Sequence, residues 1–119
     1  MNTTIINAIN KDGKRTQFKI TESCEYHRLY WDDNELYHHA GKDLNEIIDY
    51  VRYIMNGDGF HADDIVTMEN GASHSRTFDL TAEGDMIVKF YEWIGGRYVQ
   101  LGPEEHCTVN FAKTEYGWI

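Results

Sequence analysis

With 119 residues, 41% of them apolar and 13% aromatic, the chain is expected to form a single domain, residues 1–119, with a real core. A disordered chain is excluded, and neither a disulfide nor a metal is needed for folding at this size. The formal net charge of −9 speaks against nucleic acid or an anionic membrane as a direct partner, because such a domain repels polyanions and attracts basic surfaces.

The first elements in chain order read as a hairpin. Thr3–Asn10 and Arg15–Glu22 read as strands that flank the turn Lys11-Asp12-Gly13-Lys14. Cys24–Trp31 and Glu35–Ala40 form a second strand pair around Asp32-Asp33-Asn34. A helix follows over about 43–56. Asp43-Leu44-Asn45-Glu46 has the spacing of a capping box, and Leu44, Ile47, Ile48, Val51, Ile54 and Met55 then recur every three or four residues. Asn56-Gly57 is the predicted stop. Beyond the helix, Asn70-Gly71 predicts a type I′ hairpin between Ile65–Glu69 and Ala72–Leu80. Thr81–Asp85 makes the next turn. Met86–Ile94 and Arg97–Leu101 flank Gly95-Gly96, and the β-formers Val88, Phe90, Tyr91 and Trp93 favour strand over helix there. Cys107–Phe111 is the last predicted strand, with Gly117-Trp118-Ile119 as a tail. The fold class is therefore α+β: a mainly antiparallel sheet of hairpins, bent or split, with one amphipathic helix packed on it.

Charge is unevenly distributed along this plan. Residues 32–85 hold thirteen acids against three bases, whereas residues 1–31 are net positive. No Lys or Arg occurs between Arg52 and Arg76, and Asp58, Asp63, Asp64 and Glu69 all fall there. The candidate partner-binding residues are Asp32, Asp33, Glu35, Glu46, Asp49, Tyr50, Tyr53, Asp58, Asp63 and Asp64. Their carboxylates suit Arg and Lys on a partner, and tyrosines supply contact area with a hydroxyl.

Other chemistry finds less support in the residues. Of six histidines, His38 and His39 are strand neighbours that point apart. His61, Asp63 and His74, with His38 further off, are the one set worth weighing as a metal or ligand site, and a structural or hydrolytic metal needs three or four converging ligands. Cys24 and Cys107 read as two free thiols in a reducing compartment. His106 and Cys107 face apart on a strand and make no dyad. Gly57-Asp58-Gly59 follows a helix, which is the wrong context for a phosphate cradle. No catalytic residue, metal or cofactor is expected. Met1–Ile6 has neither a basic region nor a long apolar run, no stretch is long enough to span a bilayer, and the expected location is cytoplasmic.

The functional expectation is a small inhibitor, not an enzyme, that blocks a basic protein such as a nuclease by placing carboxylates where phosphates would lie. An anti-CRISPR or antirestriction phage protein and an immunity protein or antitoxin against a nuclease toxin both answer to this description. The alternatives are a small metal- or ligand-binding enzyme domain using His61, Asp63 and His74, and a structural subunit that self-associates through a sheet edge.

Overall fold

The structure, a computed structural model, describes residues 2–23, 26–40 and 44–119, with backbone alone for 37–40. The order is β1 (Asn2–Asn10), β2 (Arg15–Ser23), β3 (Tyr26–Trp31), β4 (Asn34–Ala40), α1 (Leu44–Asp58), β5 (Phe60–Glu69), β6 (Ala72–Leu80), β7 (Met86–Ile94), β8 (Arg97–Gln100), β9 (Glu105–Cys107) and α2 (Val109–Glu115). All strands join one antiparallel sheet in the order β4-β3-β2-β1-β5-β6-β7-β8, with β9 also on β7. Two meanders thus run outward from the central pair β1/β5, where Ile6 faces Ile65. Each meander ends in a helix, so the two halves repeat one plan that the sequence does not show as identity.

Alternation builds the core on one face of this sheet. Ile6 and Ala8 of β1, Phe18 and Ile20 of β2, Leu29 of β3 and Met86 and Val88 of β7 are all at most 1% exposed. Ile47, Val51 and Met55, one face of α1, close over them. Phe18 stacks on Trp31 at 5.4 Å between ring centres. The other face of the sheet carries no helix, and the molecule is a slab with extents of 41 × 37 × 24 Å.

The tight turns follow their chemistry. Asn70-Gly71 and Gly95-Gly96 take positive φ at both positions, as type I′ turns require. Asp32 and Asp33 do the same, at φ 48° and 67°, which is unusual for side chains with a Cβ.

Four expectations need correction or placement. The helix runs two residues past Asn56, and Gly59 (φ 72°), not Gly57, takes the left-handed position that stops it. Strand β5 begins at Phe60, because a bulge hides its alternation. Ala8 faces Ala62 and Asn7 faces Asp64, so Asp63 is an extra residue. The predicted last strand, Cys107–Phe111, is mostly wrong. Strand β9 ends at Cys107, and Thr108 then caps a second helix by accepting a hydrogen bond from Phe111 N at 3.1 Å. The capping-box residue Asp43 and the thiol of Cys24 lie outside the described residues. Cys107 is a free cysteine.

The bulge also opens the sheet. Pairing of β5 with β6 stops at Asp64↔Thr77. The tail fills the gap beyond it, with Ala62 N donating to Ile119 O at 2.6 Å and the Trp118 indole donating to Ala62 O at 2.9 Å.

Candidate functional site

Antiparallel pairing sends alternate connections to the same end of a sheet. Here the β1–β2, β3–β4, α1–β5 and β6–β7 connections meet at one end. That end carries Asp12, then Asp32 and Asp33, then Asp58, then Glu83 and Asp85. Asp63, Asp64 and Asp79, near the same ends of β5 and β6, add three more carboxylates. Lys11, Lys14 and Arg15, with Lys89 across Thr77 from Asp64, oppose these nine. From β3 to β5 the rim crosses three strand spacings, about 14 Å, and β6 and β7 continue it beyond the gap that the tail fills.

Five of the ten candidate residues are therefore gathered in one place: Asp32, Asp33, Asp58, Asp63 and Asp64. Glu35 sits just behind them on β4. Glu46, Asp49, Tyr50 and Tyr53 belong to α1 instead. Glu46 and Asp49 stand about 13–18 Å along the helix from Asp58, at 1.5 Å per residue. Tyr53 is 76% exposed there, and Asp49 holds Arg52 at 3.2 Å.

The rim carboxylates differ in what the fold asks of them. Asp32 accepts from Thr16 Oγ1 and from Gln17 N, each at 2.9 Å. Asp63 pairs with Arg15 at 2.8 Å. The bulge turns Asp64 to the same helix-free face as Asp63, where it accepts from Asn7 Nδ2, and Gln17 Nε2 donates to Asn7 Oδ1 at 3.0 Å. Asp64, Asn7, Gln17 and Asp32 thus form a polar row across four strands, along a shallow depression that also includes Arg15. Asp33, Asp58 and Glu83 are exposed and are held by no such bond.

Burial, and then repulsion from Asp63, raise the pKa of Asp64 above its ordinary 3.8, against the lowering effect of its Asn7 hydrogen bond. The folded state therefore holds this proton more tightly than the unfolded chain. Ionising Asp64 costs stability as pH rises from 3.8 through the raised folded value, and the cost is fully present above it. Asp64→Asn keeps the acceptor for Asn7 and removes the charge. Its expected effect is a gain under ~1 kcal/mol at neutral pH, after allowing for solvent screening of a half-exposed group. At a pH below 3.8 the gain disappears; urea titrations at both pH values check this.

The alternative metal set does not assemble. His61 alternates with buried Phe60 and Ala62 and so lies on the helix-free face. His74 pairs with Thr67, six residues along β5 from His61, or about 20 Å, and shares the helix-covered face with Arg76 and Phe78. Among the described residues no group of three His, Cys, Asp or Glu side chains is placed to hold a metal ion. The side chain of His38 lies outside the described residues. Burial, then the carboxylates of Glu105 and Asp85, push the Cys107 thiol up, which makes it a poorer nucleophile.

Sequence reasoning missed Asp12, Asp79, Glu83 and Asp85, which are remote in the chain and join the rim through pairing alone. The parity of the hairpins was the signal that pointed to them. Compared with protein-family models, curated proteins and solved structures, the chain matches none. No described helix is long and apolar enough to cross a membrane.

Proposed function

We propose that this chain is a protein-binding inhibitor, not an enzyme, that uses its acidic rim to occupy the basic groove of a nucleic-acid-handling protein. The rim itself carries the reading: nine carboxylates against four bases, brought to one end of the sheet by four separate connections. Two local features support it, Asp58 and Asp33, because each departs from what stability alone favours. Asp58 lies in the last turn of α1, which has no basic residue there, although the helix dipole disfavours an anion at that end by ~0.3–1 kcal/mol. Asp33, which makes no such bond as Asp32 does, occupies a left-handed turn position that Asn and Gly fill more easily. Tyr50 and Tyr53 on α1 extend the contact surface beside the rim. A defence nuclease and a nuclease toxin both present the required basic groove, and the identity of the captured protein separates the two settings.

The test uses Asp33, Asp58 and Glu83, which the fold does not use. The chain is immobilised against host lysate at low salt, and bound proteins are eluted with a salt gradient and identified by mass spectrometry. A basic nucleic-acid-binding protein released by salt is the expected result. The triple variant Asp33→Lys/Asp58→Lys/Glu83→Lys should bind that protein at least ~100-fold more weakly, since like charges across an interface cost several kcal/mol. Its melting temperature should stay within about 5 °C of the parent's, so that weaker binding is not unfolding. Binding unchanged by both salt and the triple reversal refutes the proposal.

A further inference from the structure

A second site lies on the opposite face, away from the rim. Between α1 and the C-terminal tail a cleft of about 350 Å³ opens over the middle of the sheet. Its floor is apolar, from Ile6 and Ile65 with Ile48 of α1 beside them. Thr4 adds a hydroxyl, and Arg76 and Arg52 add guanidinium groups. Asp49 also lines the cleft and is held by Arg52 at 3.2 Å, which leaves Arg76 as the charged lining side chain without a carboxylate among the described residues.

Arg76 is the unusual member. It projects from β6 onto the helix-covered face, opposite Ile65 and Phe90. It is half-buried, and its Nε donates to Tyr116 O at 2.8 Å. Among the described residues no carboxylate lies within ion-pair distance of it. Burial lowers the pKa of Arg76, which is the mark of a guanidinium short of solvation and of a counter-charge.

We propose that this cleft binds a small carboxylate with an aliphatic body, its carboxylate on Arg76 and its body over Ile6, Ile65 and Ile48. With Nε taken by Tyr116 O, the terminal nitrogens of Arg76 remain, and two donors match the two oxygens of a carboxylate. A phosphate has no aliphatic body to set on the apolar floor of Ile6, Ile65 and Ile48. The volume lies at the small end of ligand sites, and a mostly apolar lining with a few polar groups is their usual make-up.

The probe is hexanoate, titrated into the isotope-labelled chain and followed by amide shifts in NMR spectra, with hexanol and inorganic phosphate as comparisons. Saturable shifts at Thr4, Ile65, Arg76 and Gly117 are expected from hexanoate, with hexanol and phosphate each at least tenfold weaker. Arg76→Gln should weaken hexanoate at least tenfold. Because that variant also loses the bond to Tyr116 O, Ile48→Trp serves as a second one: it fills the cleft, keeps both arginines and should abolish the shifts. The inference is overturned by an absence of saturable binding, by shifts that lie elsewhere, by hexanol or phosphate equal to hexanoate, or by Ile48→Trp that still binds.

Discussion

Trp118→Ala should destabilise the domain by about 3–5 kcal/mol and lower its melting temperature by roughly 10–20 °C. The side chain is 8% exposed and belongs to the core, although it stands next to the last residue of the chain. Its position follows from the bulge at Asp63. Once β5 and β6 part beyond Asp64↔Thr77, the edge of Ala62 needs new partners, and the tail supplies them. The indole N–H donates to Ala62 O, Trp118 N returns to Ala112 O at 3.0 Å, and Lys113 Nζ stands 5.5 Å above the ring. Truncation leaves a cavity and a carbonyl without its donor. Trp118→Phe should retain most of the packing and lose only the hydrogen bond, at a cost of about 1–2 kcal/mol. Urea unfolding followed by circular dichroism orders the two. A Trp118→Ala variant that melts within a degree or two of the parent would show that the tail is not seated against β5.

The parts of the fold visible in the sequence are those where local chemistry and tertiary packing agree. The α1 repeat of Ile47, Val51 and Met55 is an apolar face at helical spacing, and it is the face that is buried. Asn70-Gly71 and Gly95-Gly96 are turns under any tertiary context, because few other residues accept positive φ twice in a row. Helix α2 was invisible for the opposite reason. It has seven residues, fewer than periodicity can mark, and Val109 and Phe111 are β-formers. Only Thr108 before it and Gly117 after it signal a helix. The start of β5 was hidden by the extra residue, since Phe60 and Ala62 fall out of phase with Ile65. The candidate surface was legible as a composition, the acid-rich middle of the chain, but not as a place. Strand direction brings Asp12 and Asp79 to the end of the sheet that holds Asp32 and Asp63, and sets Glu46 and Asp49 apart on α1. Arg76 gave no signal at all: an arginine in a strand reads as a surface charge until the register turns it inward over Ile65.

Asp32→Ala should cost about 2–4 kcal/mol, while Asp33→Gly, one residue on, should leave stability unchanged or raise it by up to ~1 kcal/mol. The two neighbours share a turn and a charge but do different work. The carboxylate of Asp32 ends a chain that runs from the Trp31 indole to Thr16 Oγ1 at 2.7 Å and on to Asp32 Oδ2, while its other oxygen takes the Gln17 amide. Thr16 is buried, so its hydroxyl cannot exchange that partner for water, and hydrogen bonds to a charged group are worth ~1.5–3 kcal/mol each. Asp33 has no such bond and sits at φ 67°, where a Cβ is a liability. Nothing in the fold calls for a carboxylate at this position. Measured together, the pair separates the two roles. Unfolding should respond to Asp32→Ala and barely to Asp33→Gly. Affinity for the captured partner, taken at a temperature where both variants are folded, should fall for Asp33→Gly by about tenfold, as for loss of one interfacial charge pair. If Asp33→Gly raises stability and leaves affinity intact, the turn lies outside the interface, and the rim must act through Asp58, Glu83 and Asp85 at its other end.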